Sequence, residues 1–282
     1  MRIAVTGAAG HLGRHIIESL LERGVAAGDI VAIVRTASKA ADLADRGVAV
    51  AEAAYEDTAA VTSALQGVEK LVLVSGSEVG KRLAQHTSIV EAAQTAGVAF
   101  IAYTSLLNAD SSELSLAPEH RETEALLASS GIDHVLLRNG WYWENYASNV
   151  DPARATGHVF GAVGAGRVAG AARRDYAEAA AVVVTTDGHA GKVYELGGQP
   201  SITYPELAQA IGTVIGSEVS YVDQSVEEYQ QTLEGAGLPT EVAQMLAGWE
   251  TAIANGALET SSTDLEGLIG RPATRAAEAL AA

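Results

Sequence analysis

The sequence predicts an α/β fold built on a doubly wound parallel sheet. Three observations support this prediction: an apolar strand leads into a glycine-rich turn at the N-terminus, further short apolar runs alternate with helix-like segments, and the strands are almost continuously apolar. Strands have that composition when helices cover both faces of a parallel sheet. We therefore expect parallel strands that are joined by right-handed helical crossovers.

The first predicted strand and turn, from Arg2 to Gly13, read R-I-A-V-T-G-A-A-G-H-L-G. Gly7 permits a sharp turn, Gly10 lets a phosphate approach the backbone, and Gly13 lets the next helix pack closely on the strand. The N-terminus of that helix attracts a pyrophosphate. An ordinary strand-to-helix turn is the alternative, but this order of elements favours a dinucleotide site. Its expected contacts are Thr6, Gly7, Ala9, Gly10, His11, Leu12 and Gly13.

The end of the second predicted strand, Asp29 to Arg35, indicates which dinucleotide binds. NAD-binding folds place an acid there for the ribose 2′-hydroxyl, whereas an arginine accommodates the 2′-phosphate of NADP. Here Arg35 ends the strand and Lys39 follows one helical turn later, with no acid at the tip. Because a phosphate dianion gains charge-assisted hydrogen bonds from such cations, we expect NADP(H) as the cofactor. A surface arginine without a ligand is the alternative.

The remaining elements continue the alternation. We predict strands at 48–53, 70–75, 100–105 and 134–138, and helices at about 57–65, 82–96 and 118–129. Small residues follow the fourth strand, at the edge of the sheet where ligands bind in such folds. The nicotinamide half of the cofactor is therefore expected beside Ser75, Gly76 and Ser77.

Beyond Asn139 the pattern changes. The composition of segment 157–170 predicts irregular strands or a loop outside the main sheet. A helix is predicted at 175–185. A late strand of the sheet is predicted at 192–196, and a further strand at 218–222. Capping boxes at 203–206 and 225–228 each open a helix, and two more helices follow at 239–254 and 264–269. We thus expect a nucleotide-binding domain over 1–150, with its sheet completed by about 175–197, and a smaller, interleaved substrate lobe over 151–282.

Composition excludes several classes of function. The 282 residues carry a formal net charge of −17, which argues against nucleic acid or an anionic membrane as the main partner. The chain has no cysteine, so disulfides, thiolate nucleophiles and cysteine metal sites are excluded, and its histidines lack metal-ligand spacing. No stretch resembles a signal peptide or a membrane span. We expect a soluble, cytoplasmic protein, either a monomer or a homodimer.

Several segments together resemble one family. These are T-G-A-A-G-H-L-G, the strand end I-V-R, F-I-A-Y-T-S-L-L, E-H-R-E-T-E, L-L-R-N-G-W-Y-W-E-N and D-L-E-G-L-I-G-R-P. In this combination they resemble the NmrA-like atypical short-chain dehydrogenase/reductases, and within that family the NADPH-dependent quinone oxidoreductases. The resemblance implies a Rossmann-type fold, NADPH binding and two-electron reduction of a quinone, with triphenylmethane-dye reductases as close cousins.

Carried over by position, the resemblance assigns the cofactor contacts. It puts the pyrophosphate on Gly7 to Leu12 and the 2′-phosphate on Arg35. The nicotinamide side is then expected along 75–77, Thr104 and Ser105, and the loop of Asn139, Gly140, Trp141, Tyr142 and Trp143. The adenine pocket departs from the family pattern, because Ala54 stands before Tyr55 where relatives often carry an acid.

The usual acid pair of short-chain dehydrogenases is missing. Leu116 stands where their tyrosine falls and His120 where their lysine falls, although Ser105 matches their serine. A ketone needs a proton as hydride arrives, whereas a quinone spreads the arriving charge over its ring and needs little more than positioning. The missing pair therefore favours quinones or cationic dyes over simple carbonyl acceptors. A non-catalytic sensor that binds NADP(H) is also consistent with it.

Three kinds of residue are candidates for the remaining chemistry. Trp141, Tyr142 and Trp143 have ring faces that could hold a flat acceptor, and an aromatic plug between the lobes is the alternative. Tyr142 is the substitute proton donor that we favour, and reduction of ketones through Tyr142 or His120 stays open as an alternative. His120 either orients an acceptor oxygen and shuttles a proton, or is a hydrogen-bonded core histidine.

Overall fold

The computed structural model describes residues 1–281, and within them seven parallel strands form the central sheet. The strands in chain order are β1 (Ile3–Val5), β2 (Ile30–Val34), β3 (Ala49–Glu52), β4 (Lys70–Leu73), β5 (Phe100–Leu106), β6 (Asp133–Asn139), β7 (His158–Gly161), β8 (Arg167–Val168), β9 (Val193–Leu196), β10 (Ile202–Thr203) and β11 (Ser220–Asp223). The sheet order is β3-β2-β1-β4-β5-β6-β9, parallel throughout. The chain reverses its direction of travel between β1 and β4, which is where a dinucleotide crevice opens.

Helices cover both faces of this sheet. In chain order they are α1 (His11–Glu22), α2 (Ala41–Asp45), α3 (Thr58–Ala64), α4 (Arg82–Ala96), α5 (Ala117–Ser129), α6 (Val150–Thr156), α7 (Arg173–Thr185), α8 (Tyr204–Ile215), α9 (Val226–Gly235), α10 (Thr240–Ala254), α11 (Asp264–Ile269) and α12 (Ala276–Ala281). Short 3₁₀ helices lie at Ala27–Asp29, Ala37–Ala40 and Trp143–Asn149. The predicted Rossmann-type doubly wound fold is confirmed.

Each face of the sheet has its own core. The leucines and isoleucines of α1 pack against the alanine-rich face of α7 on one side. Helices α3, α4 and α5 bury their apolar residues on the other side. Alanine side chains on α7 allow α1 to approach closely, so the glycine turn before α1 is held by a rigid layer.

A third core lies beyond the carboxyl ends of the strands. There β7 pairs with β11, β8 pairs with β10, and α8 buries Leu207 and Ile211. Thr203 and Ser225 cap α8 and α9, as their capping boxes predict. Helix α9 has no fully buried residue and packs on α10 as a helical hairpin. The elements of this third core lie over the crevice. None of the helices in the described chain is long and apolar enough to cross a membrane.

Candidate functional site

The glycine turn leaves the first turn of α1 open. Gly7 has a φ of +60°, and Gly10 is the N-cap of α1. Among residues 1–281 no side chain caps this helix, and its first turn carries no acid. A Cβ at Gly13 would overlap the carbonyl of Gly7, so the strand and helix can meet this closely only with glycine there. The uncapped N–H groups fit a pyrophosphate.

The other predicted residues of this stretch surround the turn. The backbone N–H of Val74 donates to the hydroxyl of Thr6 at 3.0 Å, which ties the end of β1 to β4. Ala9 is half-buried, His11 is exposed, and Leu12 is buried and lines the cavity described below.

The cation that follows β2, Arg35, is largely exposed to solvent. Arg35 is 68% exposed and donates to Glu78 Oε1 at 2.9 Å. Lys39 is exposed in the 3₁₀ helix that follows. In this region the hydroxyl of Tyr55 donates to the carbonyl of Val74 at 2.9 Å, and burial raises the pKa of Tyr55 to about 12. A cation next to the glycine turn fits a 2′-phosphate.

The predicted nicotinamide contacts lie at the carboxyl ends of strands β4, β5 and β6. The N–H of Ser75 donates to Thr104 Oγ1 at 2.9 Å, and a Cβ at Gly140 would lie 2.8 Å from the carbonyl oxygen of Ala169. Asn139 is buried, and within the described 1–281 its Oδ1 has no hydrogen-bond partner. A buried acceptor without a donor fits a ligand that brings one, as a carboxamide does.

A histidine holds the loop that follows β4. His86 Nε2 accepts from the N–H of Gly76 at 3.0 Å, so its hydrogen is on Nδ1 and is donated to Thr123 Oγ1 at 3.0 Å. Burial, with a smaller effect from the charge of Arg82, lowers the pKa of His86 to about 3. The ring therefore stays neutral, and its hydrogen bond to Gly76 holds the turn 75–77 in place.

His120 presents a neutral donor to the cavity. Its Nδ1 lies 2.8 Å from the hydroxyl of Tyr103, and we assign Tyr103 as the donor, which leaves the ring hydrogen on Nε2. Burial, then the charges of Arg82 and His86, lower the pKa of His120 to about 3. In the described part of the chain no group bonds Nε2, and His120 lines the cavity. Its Nε2–H is free to bind an acceptor oxygen.

Ser105 is committed to a buried ion cluster. Its hydroxyl donates to Glu124 Oε1 at 2.5 Å, and Arg138 binds both oxygens of Glu124 at 3.0 and 2.7 Å. Arg138 also pairs with Asp110 at 2.7 Å and with Glu195 at 2.9 Å. Because the Ser105 hydrogen is already bound, this residue can fix the strand ends but is not free to donate to a ligand.

Two of the three predicted ring-binding residues reach the cavity. Trp141 stands edge-to-face against Trp249 with ring centroids 5.7 Å apart. Tyr142 lies under the guanidinium of Arg173, 5.1 Å from its ring centroid, and its hydroxyl accepts from Asn139 Nδ2 at 3.4 Å. Both rings line the cavity.

The structure does not support Trp143 as an acceptor-binding residue. Its ring is only 3% exposed, its Nε1 donates to the carbonyl of Thr274 at 3.0 Å, and a Cβ at Gly170 would touch it at 2.7 Å. The 3₁₀ helix begins at this residue and turns the side chain into the third core. Trp143 therefore packs within the third core.

A cavity of about 870 Å³ joins these parts. It runs from the strand ends to the α9–α10 hairpin, and apolar atoms dominate its walls. The predicted residues that line it are Leu12, Ser75, Gly76, Ser77, Ser105, His120, Asn139, Gly140, Trp141 and Tyr142. Thr104 is buried behind Ser75, and the rest of the glycine turn with Arg35 and Lys39 lies toward the β2 side of the crevice.

The polar residues of this cavity that the sequence patterns do not reveal include Tyr146, Tyr204, Tyr229 and Glu250. They come from segments far apart in the chain. One signal points to Glu250, which continues the helical stripe of Ala243 and Ala247 and so places an acid among buried positions. Within residues 1–281 no cluster of His, Cys, Asp and Glu side chains could hold a metal ion.

The sheet order, the open glycine turn and the cation after β2 define a dinucleotide-binding protein of the Rossmann type. The chain belongs to the NmrA-like family, whose model matches residues 1–266.

Relatives extend over nearly the whole length. Quinone oxidoreductase 2 of Escherichia coli (strain K12) is 50% identical over 278 residues, which cover 99% of this chain and 97% of that protein. The crystal structure of the NADPH-dependent quinone oxidoreductase from E. coli with NADPH superposes with a TM-score of 0.94 at 50% identity, covering 99% of this chain and 98% of that one. The Citrobacter sp. triphenylmethane reductase with NADP(H) is 37% identical, with the same coverage and TM-score.

Proposed function

We propose that this chain is an NADPH-dependent oxidoreductase that delivers hydride to a quinone. One observation carries the proposal: a single cavity joins the predicted nicotinamide contacts to an aromatic chamber that contains the free Nε2–H of His120. The full-length likeness to quinone oxidoreductase 2 supports the same function. Chamber walls of Trp141 and Trp249 suit a flat, uncharged ring.

Different groups of the chain bind different parts of NADP(H). The N–H groups of the first turn of α1 hold the pyrophosphate, and Arg35 holds the 2′-phosphate. Asn139 Oδ1 and the loop 75–77 hold the nicotinamide end. When bound, NADPH supplies the hydride.

His120 stabilises the oxygen that becomes negative when the quinone accepts hydride. Its lowered pKa keeps the ring neutral, so it donates a hydrogen bond without carrying a charge into the chamber. Ser105 has a positioning role through Glu124. Tyr142, whose pKa burial raises, stays protonated and orients Asn139.

The experiment follows the near-ultraviolet absorbance of NADPH after addition of a benzoquinone or naphthoquinone, with NADH in parallel. Rapid, quinone-dependent loss of NADPH is expected. His120→Leu should lower kcat/KM about tenfold, the value of one net hydrogen bond. The control is His134→Leu, at the amino end of β6. Tight NADPH binding without turnover on any quinone, dye or ketone would instead support a non-catalytic sensor.

Reduction of triphenylmethane dyes is a second candidate, favoured by the 37% identity to the Citrobacter enzyme. Decolorisation of a cationic dye in the same assay tests it. A cytoplasmic location and a monomeric or homodimeric state remain predictions from the sequence.

A further inference from the structure

A buried carboxyl that the proposed mechanism does not use lies in the cavity wall. Glu250 of α10 is 6% exposed. Its Oε1 accepts from the hydroxyl of Tyr204 at 3.1 Å, and its Oε2 accepts from the backbone N–H of Ala162 at 2.8 Å. A Cβ at Gly161 would lie 2.8 Å from Oε2, so glycine leaves space for the carboxyl.

Two tyrosines continue from this carboxyl as a chain of hydroxyl groups. The hydroxyl of Tyr204 lies 3.3 Å from that of Tyr146. When Glu250 is ionised, Tyr146 donates to Tyr204 and Tyr204 donates to the carboxylate. When Glu250 is protonated, both hydrogen bonds can reverse: Glu250 donates to Tyr204, Tyr204 donates to Tyr146, and the hydrogen of Tyr146 is then free for the cavity. All three residues line that cavity.

The surroundings keep a proton on Glu250 near neutral pH. Burial raises the pKa of this carboxyl to about 7, and the negative charge of Asp223 adds to the effect. Among residues 1–281 no basic side chain shifts the pKa of Glu250. The titratable groups that face it from the packed elements are Tyr146, Tyr204, Tyr221, Asp223 and Tyr229. Burial raises the pKa of each of these tyrosines, so they relay protons as neutral hydroxyls.

We propose that the chain Glu250–Tyr204–Tyr146 delivers the proton that completes reduction of the quinone. The inference rests on the proposed function. Hydride transfer adds two electrons and one proton to the quinone, oxidises NADPH to NADP⁺ and leaves a hydroquinone monoanion. That anion takes the proton of Tyr146, Tyr146 takes that of Tyr204, and Tyr204 takes that of Glu250. The carboxylate then regains a proton from water, so no further reactant is required.

The test is the pH dependence of kcat with a naphthoquinone. In the unmodified protein kcat should fall as pH rises through about 7, by up to about tenfold for each pH unit, because the acid form of Glu250 is lost. Glu250→Gln keeps the size and most hydrogen bonds of the side chain but cannot supply the proton. Its kcat should equal the high-pH rate of the parent protein and should not change with pH.

Two further variants separate proton delivery from a structural role. Tyr204→Phe leaves the carboxyl in place but breaks the chain, and it should give the same flat profile. Glu241→Gln, at an exposed position of the same helix, is the matched control and should keep the parent profile. NADPH affinity should stay unchanged in all of them.

The outcomes distinguish this inference from the proposed function. If the parent protein reduces quinones but its kcat does not vary across pH 7, or if Glu250→Gln keeps the fall, the proton chain is wrong and the oxidoreductase remains. If no quinone oxidises NADPH, the proposed function fails and the inference fails with it. If Glu250→Gln does not fold, the profile of Tyr204→Phe decides.

Discussion

Replacement of Arg35 with alanine should weaken NADPH binding and leave NADH binding nearly unchanged. Arg35 directly follows β2, on the side of the sheet where the open turn of α1 lies. One charge-assisted hydrogen bond contributes about 1.5–3 kcal/mol, which corresponds to a roughly 10- to 150-fold increase in the dissociation constant. NADH lacks the 2′-phosphate, so it has no contact to lose.

The pair between Arg35 and Glu78 refines this prediction. A 2′-phosphate must take the guanidinium from Glu78, but both side chains are well exposed, at 68% and 36%. Exposed pairs contribute at most about 1 kcal/mol, so Glu78→Gln should strengthen NADPH binding by no more than about fivefold. In the double variant, Glu78→Gln should bring no gain, because there is no arginine left to release.

Fluorescence titration with both nucleotides measures these affinities. Arg154→Ala is the control, since Arg154 pairs only with the nearby Asp151 on the surface of α6 among residues 1–281. An equal loss for NADPH and NADH after Arg35→Ala would refute the assignment of the 2′-phosphate, and so would an unchanged affinity for NADPH.

Three further predictions address the turn, the aromatic residues and pH. Gly10→Ala should weaken NADPH binding more than about tenfold in titration, because its Cβ would enter the phosphate site, and should lower the melting temperature only slightly, since that Cβ would lie 3.1 Å from the carbonyl oxygen of Gly7. Gly13→Ala should lower both the affinity and the melting temperature, because its Cβ would overlap the same oxygen. Trp143→Ala should cost about 3–5 kcal/mol in urea unfolding, whereas Trp141→Ala should mainly raise the KM for quinone. The pKa of His86, about 3 when folded against 6.5 for the free side chain, means that the folded state resists protonation. The contribution of this difference to the free energy of unfolding is therefore fully present above about pH 6.5 and is lost as the pH falls. In urea titrations, His86→Gln should reduce the pH dependence of the unfolding free energy by up to about 1.4 kcal/mol per pH unit.

The predicted cofactor half of the site depends on local patterns. The glycine turn and Arg35 each depend on a few neighbouring residues and on the end of one strand, so their spacing in the sequence already contains the geometry. The late strand at 193–196 and the capped helices α8 and α9 are also predictable, because capping and apolar runs are local signals.

The acceptor half depends on contacts between distant segments. His120 matters through Tyr103, and Glu250 through a tyrosine from α8 and another from the 3₁₀ helix after β6. No spacing rule connects these positions. Trp143 shows a second limit of prediction from the sequence. A 3₁₀ helix begins at that residue, and the direction of the ring depends on the backbone there rather than on its aromatic character.

Burial acts in opposite directions on His120 and Glu250, two titratable groups of the acceptor chamber. It lowers the pKa of His120 to about 3 and raises that of Glu250 to about 7, so below neutral pH both are uncharged. An uncharged quinone can then enter without desolvating an ion, and the first negative charge in the chamber forms on the quinone itself when hydride arrives. At that moment each group can donate a hydrogen, His120 directly and Glu250 through Tyr204 and Tyr146. An apolar chamber with two neutral donors therefore stabilises the reduced state more than the oxidised one, which is the preference that a reductase without an acid pair requires.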